Sequence, residues 1–159
     1  MKFLSSGIGA LSVILLCACD KGSAPPAKVD IELAAKTWNT AQRTWSEPDL
    51  YLLEKGRSLY QKNCAACHLS SGEGQQTIGA PALKGSVVAT GPAEALITTV
   101  LNGRNSMPAF GHAVDDVDLA AILSYVRNAW GNNAAEVIGA AAVTSARGQI
   151  PISANIRDN

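Results

Sequence analysis

The chain has 159 residues, with 13 basic and 13 acidic side chains and a formal net charge of zero. This length suits one domain with extensions. The balanced charge argues against a nucleic-acid-binding protein, which needs a basic excess to neutralise phosphates. Only two Met and two His residues occur, so a metal site that uses them has little choice of ligands.

The first residues are typical of an exported protein. Lys2 is followed by a small, apolar stretch from Gly7 to Ala18, which predicts a signal peptide over residues 1–18. Leu16-Cys17-Ala18-Cys19 resembles a bacterial lipobox, so Cys19 is the predicted lipidation site. An ordinary cleaved signal or an uncleaved anchor is the alternative. A lipid on Cys19 would hold the protein at the periplasmic side of the bacterial inner membrane.

Residues 19–45 are predicted to form a lipid-anchored tether. The composition of Ser23-Ala24-Pro25-Pro26-Ala27 is that of a linker. Residues 30–44 could form a short helix. Trp38 and Trp45 lie in this segment without a clear apolar stripe. We expect them to pack against the domain that follows, and the alternative is a contact with the membrane surface or a partner.

Three helices are predicted in the domain, which we place at residues 46–131. The first begins at Ser46, whose side chain can cap the helix together with Asp49, and it runs to Asn63. The second begins at Pro92, and Asn102-Gly103 ends it. The third has the clearest apolar stripe, contributed by Leu119, Ile122, Leu123, Val126 and Trp130, and it ends at Gly131. No stretch between Ser70 and Ala89, which separate the first two helices, alternates like a strand, so the fold is predicted to be all-α.

Cys64-Ala65-Ala66-Cys67-His68 is the C-x-x-C-H pattern of covalent c-type haem attachment. The spacing presents Cys64 and Cys67 to one porphyrin and brings His68 under the iron. A thioredoxin-like redox pair is disfavoured because the motif closes a helix and no strand precedes it. A zinc site lacks enough further ligands. A structural disulfide would leave the Gly-rich loops without a core.

The sixth iron ligand follows by elimination. Met1 belongs to the predicted signal, so Met107 is the only thioether of the mature chain and His112 is the only spare imidazole. Pro108 stiffens the loop around Met107. The bond between iron and a thioether sulfur is weak, and a stiff loop helps to keep it closed. We therefore expect Met107 to be the ligand, with His112 as the alternative. A second alternative makes Met107 a filler of irregular core space.

With these residues in place, the chain resembles a class I bacterial cytochrome c domain between about residues 47 and 131. The resemblance is carried by residues 55–60, 64–68, 79–85, 105–108 and 119–130. It implies three to five short helices wrapped around one covalently bound haem c. It also implies a tight crossing of the first and last helices at Gly56, Tyr60 and Tyr125. By the same resemblance, the carbonyl of Pro81 accepts a hydrogen bond from the free ring nitrogen of His68, and the alternative is that Pro81 only forms a turn.

The resemblance implies a closed iron site in an apolar surrounding. Side chains expected around the haem are Leu83, Ile97, Leu101, Phe110 and Leu123. Candidates for holding the propionates are Arg57, Lys84 and Arg104, although each could equally be a plain solvated charge.

The function that follows is a single-electron carrier for redox partners such as a dehydrogenase, an oxidase or another cytochrome. It is expected to be a monomer or a complex subunit, with no nucleic-acid partner and with a membrane contact through its lipid. The alternatives are a dedicated subunit of an oxidase or dehydrogenase complex and, less favoured, a haem peroxidase or gas sensor with open iron. Residues 132–159 are expected to form an Ala-rich, partly disordered tail.

Overall fold

The computed structural model describes residues 28–149. This part of the chain contains seven α-helices, one 3₁₀ turn and no strand, which confirms the all-α prediction. The helices are α1 (Ile31–Trp38), α2 (Glu47–Asn63), α3 (Ala65–His68), α4 (Val87–Thr90), α5 (Ala93–Asn102), α6 (Asp116–Asn128) and α7 (Ala140–Gly148), and the 3₁₀ turn is Gln76–Ile78.

The predicted signal peptide, the lipidation site at Cys19 and the end of the tail after residue 149 lie outside the described residues. Between residues 28 and 149 we find no helix with the length and apolar character needed to span a bilayer.

Helix α2 begins where the sequence predicts. The Ser46 hydroxyl accepts a hydrogen bond from the Asp49 backbone N–H at 3.3 Å and donates to the Asp49 carboxylate at 2.6 Å. The first of these bonds satisfies an N–H group that the helix itself leaves without a partner. The helix ends at Asn63, which places Cys64 directly after it.

Helices α2 and α6 cross closely at Gly56. A Cβ atom added to Gly56 would lie 2.0 Å from the carbonyl oxygen of Ala121 and 2.9 Å from the Cβ of Tyr125. One turn further along α2, the ring of Tyr60 packs 5.3 Å from the ring of Tyr125. The crossing expected at Gly56, Tyr60 and Tyr125 is present.

The substitution Gly56→Ala is expected to destabilise the protein by about 3 kcal/mol or more, because the clashing atom belongs to a backbone that cannot rotate away. Denaturant unfolding measures this cost. Gly139→Ala is the matched control, since nothing lies within 4 Å of the added Cβ there, and it should cost less than about 1 kcal/mol. Equal losses for both variants would show that the helices do not approach so closely.

Helix α6 is shorter than the apolar stripe predicts. It ends at Asn128, and Trp130 follows in a left-handed conformation with φ of 56°. This turn brings the Trp130 indole within 5.0 Å of the Tyr60 ring, and its N–H donates to the Ser70 carbonyl at 2.9 Å. Trp130 therefore packs with α2 and the loop after the haem motif instead of extending the stripe of α6.

The segment assigned to the tether is part of the packed unit from α1 onward, so the predicted boundary at residue 45 is too late. The Trp38 indole N–H donates to Glu54 on α2 at 2.8 Å. Trp45 is buried in one cluster with Leu50 and Leu53. The expectation that both Trp residues pack against the domain is confirmed. These contacts join residues that are distant in sequence, which a local pattern cannot show.

The beginning of the predicted tail is likewise ordered and packed. Asn132 is buried, and its side chain accepts from the Gly85 N–H at 2.8 Å and donates to the Leu83 carbonyl at 3.0 Å. Further along, Val143 of α7 is fully buried in the cluster that α5 and α6 share. The boundary predicted at residue 131 is therefore too early.

Two side chains of α7 hold the start of α6. Thr144 donates to one carboxylate oxygen of Asp116 at 2.6 Å, and Arg147 donates to the other at 2.7 Å. The Thr144 hydrogen bond and the Arg147 guanidinium hold the pKa of Asp116 below its usual range. Arg147 also donates to the Val114 carbonyl at 3.1 Å. Helix α7 therefore fixes the position of the segment that connects the Met107 loop to α6.

Candidate functional site: a haem pocket

The C-x-x-C-H motif lies at the junction of α2 and α3. Cys64 is half-buried, Cys67 is exposed, and His68 is buried with 7% of its surface accessible. Burial, and secondarily the nearby Cys67, raises the pKa of the Cys64 thiol to about 11. A thioredoxin-like nucleophile needs the opposite shift, so the structure adds a reason to reject a thiol–disulfide site.

The carbonyl groups at the end of the motif all have donors. The Gln75 side-chain amide donates to the carbonyls of Ala66 at 2.7 Å and Cys67 at 3.2 Å. The Gly74 N–H donates to the His68 carbonyl at 3.0 Å, and the Tyr60 hydroxyl donates to the Leu69 carbonyl at 2.7 Å. A helix cannot satisfy its last carbonyls internally, so these four bonds fix the backbone that carries His68.

The His68 ring is held by the loop that follows the motif. Its Nδ1 lies 2.9 Å from the Pro81 carbonyl oxygen, as the resemblance implies. With the proton on Nδ1 the imidazole donates this bond, which leaves Nε2 unprotonated and able to bind a metal. Gly74, with φ of 73°, makes the approach possible, because a Cβ there would lie 2.5 Å from the Pro81 carbonyl.

A cavity of about 580 Å³ joins these residues to the Met107 loop. Cys64, Cys67, His68 and Met107 all line it, and most of its wall is apolar. These side chains fit a large, flat, apolar group. The two cysteine sulfurs would attach it covalently, and the His68 imidazole would bind its metal. The residues expected to hold and ligate a haem are thus brought to one space.

Helix α5 faces the cavity with a different side from the one predicted. Leu96, Thr99 and Val100 line the cavity. Ile97 and Leu101, which we expected there, are each 2% exposed and pack toward α6 and α7. The reason is that α7 covers the second face of α5, so both faces are apolar. Of the other expected side chains, the cavity is lined by Leu83, Phe110 and Leu123.

The Met107 loop is closed by backbone bonds. Met107 and Arg104 exchange two N–H···O bonds, at 2.9 and 3.1 Å. Gly103, with φ of 71°, lies beneath the loop, since a Cβ there would approach the Met107 carbonyl oxygen to 2.5 Å. His112, the alternative ligand, is not among the residues that line the cavity and lies in the turn before α6. The geometry favours Met107 of the two.

The three candidate propionate partners differ in position. Arg104 lines the cavity. Arg57 pairs with Glu54 one turn earlier on α2, and Lys84 forms a long ion pair with Glu73 at 3.6 Å. Neither of these two side chains lines the cavity, so Arg104 is the candidate that the structure favours.

Sequence reasoning missed Gln75, Gly74 and the second role of Gly103. Gln75 carries no local signal, because an amide side chain is ordinary in a Gly-rich loop. The sequence indicates Gly103 as a helix stop, and nothing in it shows that Gly103 also lies against Met107. Only the folded loops bring these residues to the site.

Comparisons with known proteins agree with this pocket. Cytochrome c6 of Diacronema lutheri is 36% identical over 78 residues, which cover 46% of this chain and 92% of that protein. Cytochrome c6 of Gracilaria tenuistipitata var. liui is 33% identical over 79 residues and is covered to 71%. The chain therefore belongs to the c-type cytochromes, and its cofactor is a covalently bound haem c.

Within this class, residues 52–126 match the family "Cytochrome C oxidase, cbb3-type, subunit III". The cbb3-type cytochrome c oxidase subunit CcoP of Azospirillum brasilense is 34% identical over 89 residues, which cover 52% of this chain and 30% of that protein. The gluconate 2-dehydrogenase cytochrome c subunit of Pantoea cypripedii is 31% identical over 120 residues, which cover 67% of this chain and 26% of that protein. The chain thus spans about a third or less of these two relatives.

Proposed function

We propose that the protein carries single electrons on one haem that is attached through Cys64 and Cys67, with His68 and Met107 as the axial ligands. The observation that supports this most strongly is the shared cavity, in which the His68 imidazole is fixed by the Pro81 carbonyl. When bound, the haem supplies an iron that alternates between Fe(III) and Fe(II). With both His68 and Met107 bound to it, that iron would have no position left for oxygen or substrate.

The protein's own residues determine how this group behaves. The thioether of Met107 favours the reduced state relative to a second imidazole. The apolar wall disfavours the extra positive charge of the oxidised state. The hydrogen bond from His68 to Pro81 acts in the opposite direction, because it increases the basicity of the imidazole. The reduction potential of the haem reflects the balance of these three effects.

We also propose that a lipid on Cys19 holds the protein at the periplasmic side of the inner membrane. Without the signal peptide the chain has 12 basic and 13 acidic residues, since Lys2 is removed from the 13 basic ones. Strong electrostatic steering toward a partner is therefore not expected. A tether instead raises the effective concentration of the haem near membrane-bound partners.

The partners are redox proteins, either a dehydrogenase that donates electrons or an oxidase or cytochrome that accepts them. A second candidate is a permanent subunit of such a complex. This candidate is supported by the relatives that are named as oxidase and dehydrogenase subunits. A haem peroxidase or gas sensor is disfavoured because the Met107 loop is closed by its own backbone bonds.

One purification tests the proposal. The protein is extracted from membranes in a mild detergent, and its intact mass is measured together with any chain that travels with it. We expect the mass of the chain from Cys19 onward plus one haem and one diacylglycerol. A Cys19→Ser variant should lose the lipid and keep the haem. A mass without haem contradicts the electron-carrier proposal, and a stable stoichiometric complex favours the subunit.

Carbon monoxide binding to the reduced protein from the same purification tests the closed iron site. We expect slow and incomplete binding, because Met107 must leave first. Rapid and complete binding would favour the open-iron function.

A further inference from the structure

The loop between the haem motif and Pro81 is closed at its base by Gln75. The Gln75 N–H donates to the Ala80 carbonyl at 2.8 Å, and the Ala80 N–H donates to the Gln75 carbonyl at 3.1 Å. This pair of bonds fixes Ala80. The next carbonyl along the chain, that of Pro81, accepts the bond from His68 Nδ1 at 2.9 Å.

The side chain of Gln75 extends the connection to the haem motif itself. Its Nε2 atom donates to Ala66 and Cys67, the two residues directly before His68. Gln75 therefore bonds through its backbone to the neighbour of Pro81 and through its side chain to the helix that carries His68. The imidazole, the Pro81 carbonyl and Gln75 form one closed ring of covalent and hydrogen bonds.

We propose that Gln75 is a positioning residue that sets the strength of the hydrogen bond between His68 and Pro81. The inference rests on the proposed function in one respect, namely that His68 is an iron ligand. Without the Gln75 amide, this loop keeps the Gly74 N–H bond to the His68 carbonyl and the bonds from the Leu83 and Lys84 N–H groups to the Gly72 carbonyl, but it loses both bonds that join Gln75 to the helix of His68. The Pro81 carbonyl can then move away from Nδ1, and the imidazole becomes a weaker electron donor.

A simpler role for Gln75 is to cap helix α3 by satisfying two carbonyls. A cap contributes to stability, but it predicts no effect on the imidazole. The two roles are therefore separated by measurements made on His68 and on the iron, and unfolding experiments alone do not separate them.

The test uses the variant Gln75→Met, which keeps the length of the side chain and removes its donor. Gln76→Met is the matched control, because Gln76 is the adjacent residue, of the same type, with an exposed side chain. The exchange rate of the His68 Nδ1 proton with solvent is measured by NMR in the reduced haem protein. The reduction potential is measured on the same samples.

For Gln75→Met we expect roughly tenfold faster exchange of the Nδ1 proton, as the loss of about one hydrogen bond implies. We also expect a higher reduction potential, because a weaker donor stabilises the oxidised iron less. Gln76→Met should match the unaltered protein in both measurements. If Gln75→Met yields too little haem protein, Gln75→Glu replaces it, since a carboxylate also lacks a donor.

Unchanged exchange and potential in a less stable Gln75→Met protein would overturn the proposal and leave Gln75 as a cap. Loss of haem protein in both Gln75 variants, with normal Gln76→Met, would also overturn it, because a positioning residue acts after attachment. A protein without haem, or with haem not bound by His68, contradicts the proposed function instead. The two failures are therefore distinguishable.

Discussion

The double substitution Cys64→Ala with Cys67→Ala is expected to abolish the haem protein and to leave the chain largely unfolded. The cavity of about 580 Å³ would then lack its occupant. Even if about half of it stayed empty, the cost at roughly 24 cal/mol per Å³ would be about 7 kcal/mol. A small domain is stable by only about 5–15 kcal/mol in total, so little or no stability would be left.

Far-ultraviolet circular dichroism and the haem absorption spectrum measure this outcome. The substitution of Ala65 and Ala66 by Ser is the control, because it alters the motif while keeping both sulfurs. This control should retain haem and helix content. A well-folded, haem-free double variant would show that the polypeptide core is sufficient without the cofactor.

The substitution Met107→Ala is expected to open the iron and to lower the reduction potential. The shift should be on the order of a tenth of a volt, a fraction of the roughly 0.8 V that axial ligands span. The far-red charge-transfer band of the Fe–S bond should disappear. Carbon monoxide should then bind the reduced protein rapidly, because no thioether has to leave first.

His112→Ala is the matched control for this experiment, since His112 is the alternative ligand. It should leave the charge-transfer band and the potential unchanged. If instead the band survives in Met107→Ala and the potential shifts in His112→Ala, the assignment of the sixth ligand is wrong.

The three longer helices of the domain were predictable because each has a repeating apolar stripe with recognisable ends. Ser46, Pro92 and Asp115 stand at the start of α2, α5 and α6 in the structure. Helices α3 and α4 have four residues each, which is too short for a period to be visible. Helix α7 is rich in Ala and follows Gly139, so its apolar face is not distinctive.

Packing over long sequence distances was not predictable. Arg43 donates to the carbonyl of Ala135, and Val137 packs on the cluster around Trp45. The two segments outside the predicted domain therefore meet each other across α2. Nothing in either segment alone indicates the other, so both resembled loose extensions.

The residues of the site likewise fall into those that local sequence patterns predict and those that only the fold reveals. The motif placed Cys64, Cys67 and His68 together, and the small number of thioethers pointed to Met107. The supporting residues Gln75 and Gly103 act on backbone groups that only the fold brings near. Local chemistry was therefore visible in the sequence, whereas the arrangement that fixes the chemistry was not.

The four hydrogen bonds at the end of the haem motif have a kinetic consequence. The carbonyl dipoles from Ala66 to Leu69 are fixed by Gln75, Gly74 and Tyr60, so they do not turn when the charge on the iron changes. Preorganised dipoles of this kind contribute little to the reorganisation energy of a charge transfer. An electron can then move between this haem and a partner at a small driving force, with the protein nearly the same before and after.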